Sequence, residues 1–133
     1  MLRTSNYFGV RLVQFDLLFL IMKLVFKRNS KAIALRHFII LHSSKWHDDA
    51  LIEHEIVHLE QQEEHGLFKF VWKYFTSSTF RFTMELDAHT IEVLRGNDIN
   101  KVAKTFSENY NLDMSAMEAK RFIEINIKKI GEE

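Results

Sequence analysis

Apolar residues recur at helical spacing along most of this chain. They are densest over residues 11–28, in Leu17-Leu18-Phe19-Leu20-Ile21-Met22 and then Leu24-Val25-Phe26. Asp16, Lys23 and Lys27 fall at i, i+7 and i+11, on one side of a helix. The pattern predicts an amphipathic helix over 11–28 with a narrow polar stripe. Its apolar side belongs in a core or, in a second reading, against a membrane surface. The first ten residues read as an irregular lead-in. Arg28-Asn29-Ser30-Lys31 is a polar turn, and residues 32–41, with Ile33, Leu35, Phe38, Ile39 and Ile40, are the best strand or hairpin candidate. Residues 43–47 form a loop into the next helix. In that helix Ile52, Ile56 and Leu59 make an i, i+4, i+7 apolar line, Asp48 and Asp49 cap the start, and Gly66 suits the end.

Beyond Gly66, Phe68, Val71, Trp72 and Phe75 lie at i, i+3, i+4 and i+7, which predicts a second helix packed back on the core. Thr76-Ser77-Ser78-Thr79 breaks it, and Phe80-Arg81-Phe82 reads as briefly extended. A third helix is expected over 83–95, closed by Gly96. A fourth runs over about 98–110, with Ile99, Val102, Ala103, Phe106 and Tyr110 on one face. A fifth starts at Ser115-Ala116-Met117-Glu118, a capping-box pattern, and carries Phe122, Ile123, Ile127 and Ile130 inward. The expected class is α+β, mostly helical. With 133 residues, the chain reads as one domain over 1–133.

Composition removes several function classes. The chain has no cysteine, so disulfide scaffolds, thiolate metal sites and cysteine nucleophiles are excluded. Its 18 basic and 18 acidic residues cancel, which argues against a general nucleic-acid binder. Its apolar runs are shorter than the ~20 residues that span a bilayer, and charges interrupt the one segment that resembles a signal peptide. A cytoplasmic location follows from those missing signals, with peripheral membrane contact through 11–28 as the variant reading.

The helix over residues 48–66 carries the chemistry. His54-Glu55-Ile56-Val57-His58 is an H-E-x-x-H pentapeptide. On a helix, i and i+4 lie one above the other, so both imidazoles can reach one metal ion. Glu55 borders the same face as a candidate general base. At this chain's His and Glu frequencies a chance match arises in roughly 3% of cases. Catalytic zinc needs a third protein ligand. Glu60, Glu63 and Glu64 point elsewhere or lie too far along the helix. Glu85, Ala88, His89 and Glu92 share a later face, and the small Ala88 permits close approach. Glu85 is the preferred third ligand, with Glu92 and His89 as alternatives. Tyr74, His89 and Tyr110 are open candidates for stabilising an oxyanion.

His54-Glu55-x-x-His58 followed by Glu85-Leu86-Asp87-Ala88 resembles the gluzincin metallopeptidases, in particular their minimal single-domain members. The resemblance covers about residues 32–95. It includes Gln61, three positions after the second His, while His89 stands where relatives carry Asp. It implies a zincin-like fold with a short sheet beside the active-site helix, and Zn²⁺ held by His54, His58 and Glu85. It further implies Glu55-assisted hydrolysis of a peptide or protein substrate bound along the strand in 32–41. Two competing readings are a zinc-stabilised binding or regulatory domain with little turnover, and a membrane-peripheral interaction protein.

Overall fold

A computed structural model describes residues 3–7, 9–26 and 31–132, with the side chains of 22, 23, 25 and 26 excepted. Among the described residues the architecture is α+β: six α-helices and a small mixed sheet of four strands. In chain order the elements are β1 (Arg3–Tyr7), β2 (Val10–Gln14), α1 (Asp16–Phe26), β3 (Ala32–Leu35), β4 (Phe38–Leu41), α2 (Asp49–His65), α3 (Leu67–Thr76), α4 (Ser78–Leu94), α5 (Ile99–Asn109) and α6 (Ala116–Gly131). The polar turn expected at 28–31 lies mainly outside the described residues, as do the end of the helix expected over 11–28 and the Lys23 and Lys27 side chains of its polar stripe.

The sheet order is β1-β2-β4-β3. β1 pairs antiparallel with β2, and β4 runs parallel to β2 with Leu12 opposite Ile39 and Gln14 opposite Leu41. β3 and β4 form the expected hairpin, Leu35 opposite Phe38, and leave β3 at the sheet edge. Arg36 turns the hairpin at φ 53°. Gln62 of α2 fastens it, accepting from the Arg36 N–H at 2.8 Å and donating to the Ala34 carbonyl at 3.0 Å.

The amino-terminal stretch corrects the sequence reading. The lead-in is strand β1, and residues 10–14 are strand β2 rather than the start of a helix. Thr4, Ser5 and Asn6 carry no apolar alternation because all of β1 but Tyr7 is exposed, so backbone pairing alone defines the strand. Helix α1 begins at Asp16, whose carboxylate accepts from the Ser43 N–H and hydroxyl at 2.7 and 2.6 Å. It is also not the core helix expected: Phe19 is buried, while Leu17, Leu20, Ile21 and Leu24 are exposed.

Two apolar clusters hold the molecule together. Leu12, Ile39 and Leu41 of the sheet pack against Ile52 and Leu59 of α2, with Trp46 closing the cluster. Val102, Ala103 and Phe106 of α5 pack against Ala119 and Ile123 of α6, with Phe82, Leu86 and Val93 of α4 leaning in. Helices α2 and α4 therefore lie between a sheet core and a helical core.

The break at 76–79 shrinks to one residue. Ser77 ends α3, and its hydroxyl caps α4 by accepting from the Phe80 N–H at 3.1 Å. Phe80-Arg81-Phe82 is thus helical, not extended. Its alternation arises because the three side chains go to different neighbours. Phe80 meets Phe70 and His65, Arg81 donates to the carbonyls of Tyr74 and Tyr110, and Phe82 stacks on Phe106. The predicted inward face of α3 is also reversed: Phe70 is buried, whereas Phe68, Val71, Trp72 and Phe75 are exposed. On α6, Ile123 is buried as expected, but Phe122 and Ile130 are exposed.

Candidate metal centre

Helix α2 presents the pentapeptide. Asp48 fixes its start by accepting from the Leu51 N–H at 3.0 Å, and Gly66, at φ 84°, lets the chain leave it. Ile52 and Leu59 turn the opposite side of the helix into the sheet core, so His54, Glu55 and His58 face α4. Ala88 of α4 is wholly buried, on the face of α4 that carries Glu85, His89 and Glu92. Glu85 then lies between the two imidazoles.

Three donor atoms converge there. His54 Nε2 and His58 Nε2 are 3.2 Å apart, and Glu85 Oε1 is 3.3 Å from the first and 3.1 Å from the second. Bonds of about 2.0–2.1 Å in tetrahedral zinc place neighbouring ligand atoms about 3.3 Å apart, so the triangle matches the base of such a site. In metal-free protein the same 3.1 and 3.3 Å separations also suit N–H donation from the rings to Oε1. His54, His58 and Glu85 are buried and could hold a metal ion.

The surroundings orient each of the three donors. His58 Nδ1 donates to Gln61 Oε1 at 2.9 Å, and Gln61 is itself oriented because its Nε2 donates to the Met84 carbonyl at 3.1 Å. This assignment leaves the His58 Nε2 lone pair facing the centre. Tyr74 donates its hydroxyl to Glu85 Oε2, so Oε1 turns inward. His54 Nδ1 lies 2.6 Å from Glu92 Oε1, although the ring N–H is not well aligned with it. Glu92 thus places a carboxylate behind His54, on the Nδ1 side of the ring and away from the His54–His58–Glu85 triangle. His89 sits beside it, Nδ1 3.3 Å from Glu92 Oε1 and Nε2 2.9 Å from the Tyr110 hydroxyl. His54, His89 and Glu92 also form a group that could hold an ion, but 2.6 Å is well short of the ~3.3 Å expected between two ligands of a tetrahedral ion.

Burial and charge act together on these groups. For His54, burial favours the neutral ring, yet Glu85, Glu92 and Glu55 override it and hold the ring well above the ordinary imidazole range. The same contest, won by Glu85, raises His58. Burial would raise Glu85 and Glu92, but the neighbouring imidazoles hold Glu85 well below the carboxylate range and bring Glu92 to about 2. Glu55 goes the other way: burial raises it against the pull of His54 and His58. Burial also lowers His89 and, with the surrounding carboxylates, pushes Tyr110 well up, so its hydroxyl keeps its proton.

Among the described residues, two cavities lie against this cluster. One of about 330 Å³ runs along β3 and is lined by Ile33, Leu35, Phe70, Phe75, Glu55 and Tyr110 among others. The second, about 620 Å³, approaches from the side of Lys31, Lys45 and Lys101 and also touches His54, Glu55 and Tyr110. Of the oxyanion candidates, Tyr74 is engaged with Glu85 and His89 with Tyr110, while Tyr110 borders both cavities. No sequence signal identified the Tyr74–Glu85 and His54–Glu92 pairs, because each depends on how separate helices dock. No family model matches the chain, and neither does any curated protein or solved structure.

Proposed function

We propose that this protein is a zinc-dependent peptide-bond hydrolase of reduced, zincin-like architecture. The observation that carries the reading is the convergence of His54 Nε2, His58 Nε2 and Glu85 Oε1 at tetrahedral spacing beside buried Glu55. The donor set is two imidazoles and a carboxylate, a combination suited to catalytic zinc with one position left open. Zinc held there would lower the pKa of a water molecule and polarise a carbonyl.

The remaining work belongs to the chain. Glu55, its pKa raised by burial, takes a proton from the attacking water and passes it to the leaving amine. With the His89 proton on Nε2 and donated to its hydroxyl oxygen, Tyr110 keeps its own proton to donate toward the developing oxyanion. Gln61, Tyr74 and Glu92 keep the three ligands in orientation. The substrate backbone lies in the cavity along edge strand β3, where Gln62 already occupies the Ala34 carbonyl and so limits how far a peptide can pair.

One panel tests this: metal content by mass spectrometry and cleavage of a peptide library by the parent, Glu85→Ala, Glu55→Gln and Tyr110→Phe. About one zinc per chain is expected in the parent and in the Glu55 and Tyr110 variants, and less in Glu85→Ala. Cleavage should vanish in Glu55→Gln and drop on the order of 100-fold in Tyr110→Phe. Zinc without cleavage in the parent would favour a metal-stabilised binding domain. A parent that takes up no metal would end the proposal.

A further inference from the structure

The exposed face of α3 calls for an occupant. Phe68, Trp72 and Phe75 are 86%, 72% and 64% exposed, at i, i+4 and i+7, with Val71 exposed between them. An aromatic stripe of this size is unusual on a surface with nothing against it. It is continuous with the mouth of the cavity along β3: Val71, Phe75 and Leu35 line that cavity, and Leu35 pairs with the exposed Phe38. The opposite side of α3 supplies Phe70 and Tyr74 to the metal centre.

Charge narrows the choice of occupant. Residues 67–84 include Lys69, Lys73 and Arg81 and no Asp or Glu, in a chain whose net charge is zero. Arg81 is committed to the carbonyls of Tyr74 and Tyr110, and the Lys73 ammonium lies over the Phe80 ring, 5.6 Å from its centroid, which leaves exposed Lys69 beside the stripe and half-buried Lys73 behind it. A second copy docked symmetrically on this face would set like charges against each other. Helices that lie in the plane of a membrane combine Trp and Phe on one side with Lys at the margin. Among the described residues no helix is long and apolar enough to cross a membrane.

We infer that α3 docks this protein on an anionic phospholipid surface, with Phe68, Trp72 and Phe75 entering the interface and Lys69 at the headgroups. The mouth of the cavity along β3 then opens at the membrane. The inference is independent of metal occupancy. Helix α1, with Leu17, Leu20, Ile21 and Leu24 exposed at i, i+3, i+4 and i+7, presents a second exposed stripe, an aliphatic one.

Vesicle sedimentation and tryptophan fluorescence test it, because Trp46 is buried and Trp72 dominates any solvent-dependent change. The parent should sediment with vesicles of phosphatidylcholine mixed with phosphatidylserine, less with phosphatidylcholine alone, and its emission should shift to the blue. High salt should weaken binding. Phe68→Ser/Trp72→Ser should lower partitioning on the order of 100-fold, and Lys69→Gln about fivefold, the ~1 kcal/mol typical of one basic residue near an anionic surface. Both variants should keep the parent's circular dichroism and metal content. Absence of binding to mixed vesicles, or equal binding by the double variant, would overturn the inference. So would a parent dimer that the double variant lacks, since it would assign the face to self-association.

Discussion

At the scale of single residues, the candidate centre depends on side chains that touch no metal as much as on those that would. His54 is oriented by Glu92 and His58 by Gln61, while Tyr74 turns Glu85. Glu92→Gln is the sharpest probe, because the amide keeps the shape and loses the charge behind His54. Metal affinity should fall about 10- to 100-fold while all three ligands remain, since partners of this kind set ligand basicity and ring orientation. A competition titration against a chromophoric chelator reads this directly. Unchanged affinity would mean that the 2.6 Å contact does not govern His54.

At the scale of elements, α2 and α4 form the frame that holds the centre, and Ala88 is wholly buried on the face of α4 that carries Glu85. Ala88→Leu should destabilise the fold by about 1–3 kcal/mol, the usual cost of overpacking, seen as a lower midpoint in urea unfolding. It should also weaken metal binding by moving Glu85 away from the two imidazoles. Helix α2 was readable in the sequence because its signals are local: a capping Asp48, an i, i+4, i+7 core line and a terminal Gly66. The His54–His58 pair is local for the same reason, and Glu85 followed from sharing a face with a small residue. Strand β1 was not readable, because its exposed side chains carry no pattern. Helix α3 was readable as a helix but not in orientation: periodicity reveals that one side is apolar, not what lies against that side. The role of Glu92 depends on the register between two helices, which no spacing within either one encodes.

At the scale of the whole molecule, pH should act in opposite directions with and without metal. His54 and His58 are raised from 6.5, so in metal-free protein their contribution is complete below that value and is lost as pH rises through their folded values. Glu92 is lowered from 4.5 to about 2, and Glu85 is lowered too, so their contribution is present above 4.5 and fades as pH falls. His89, lowered by burial, opposes the other two imidazoles and trims the acid side. Metal-free protein should therefore melt highest between pH 4.5 and 6.5. Metal needs unprotonated imidazoles, so the rise in melting temperature on adding zinc should be small at the acid end and grow with pH. Calorimetric scans with and without zinc across that range test both signs.

The position of the centre between the sheet core and the helical core has a further consequence. His58 and Glu85 are 27 residues apart and belong to helices that face different cores. An ion joining them would serve this cysteine-free chain as a removable staple. With the ion in place, both halves should protect their amides from exchange as one unit. Once a chelator removes it, each half should open on its own schedule, and the order of opening would reveal which half holds the fold.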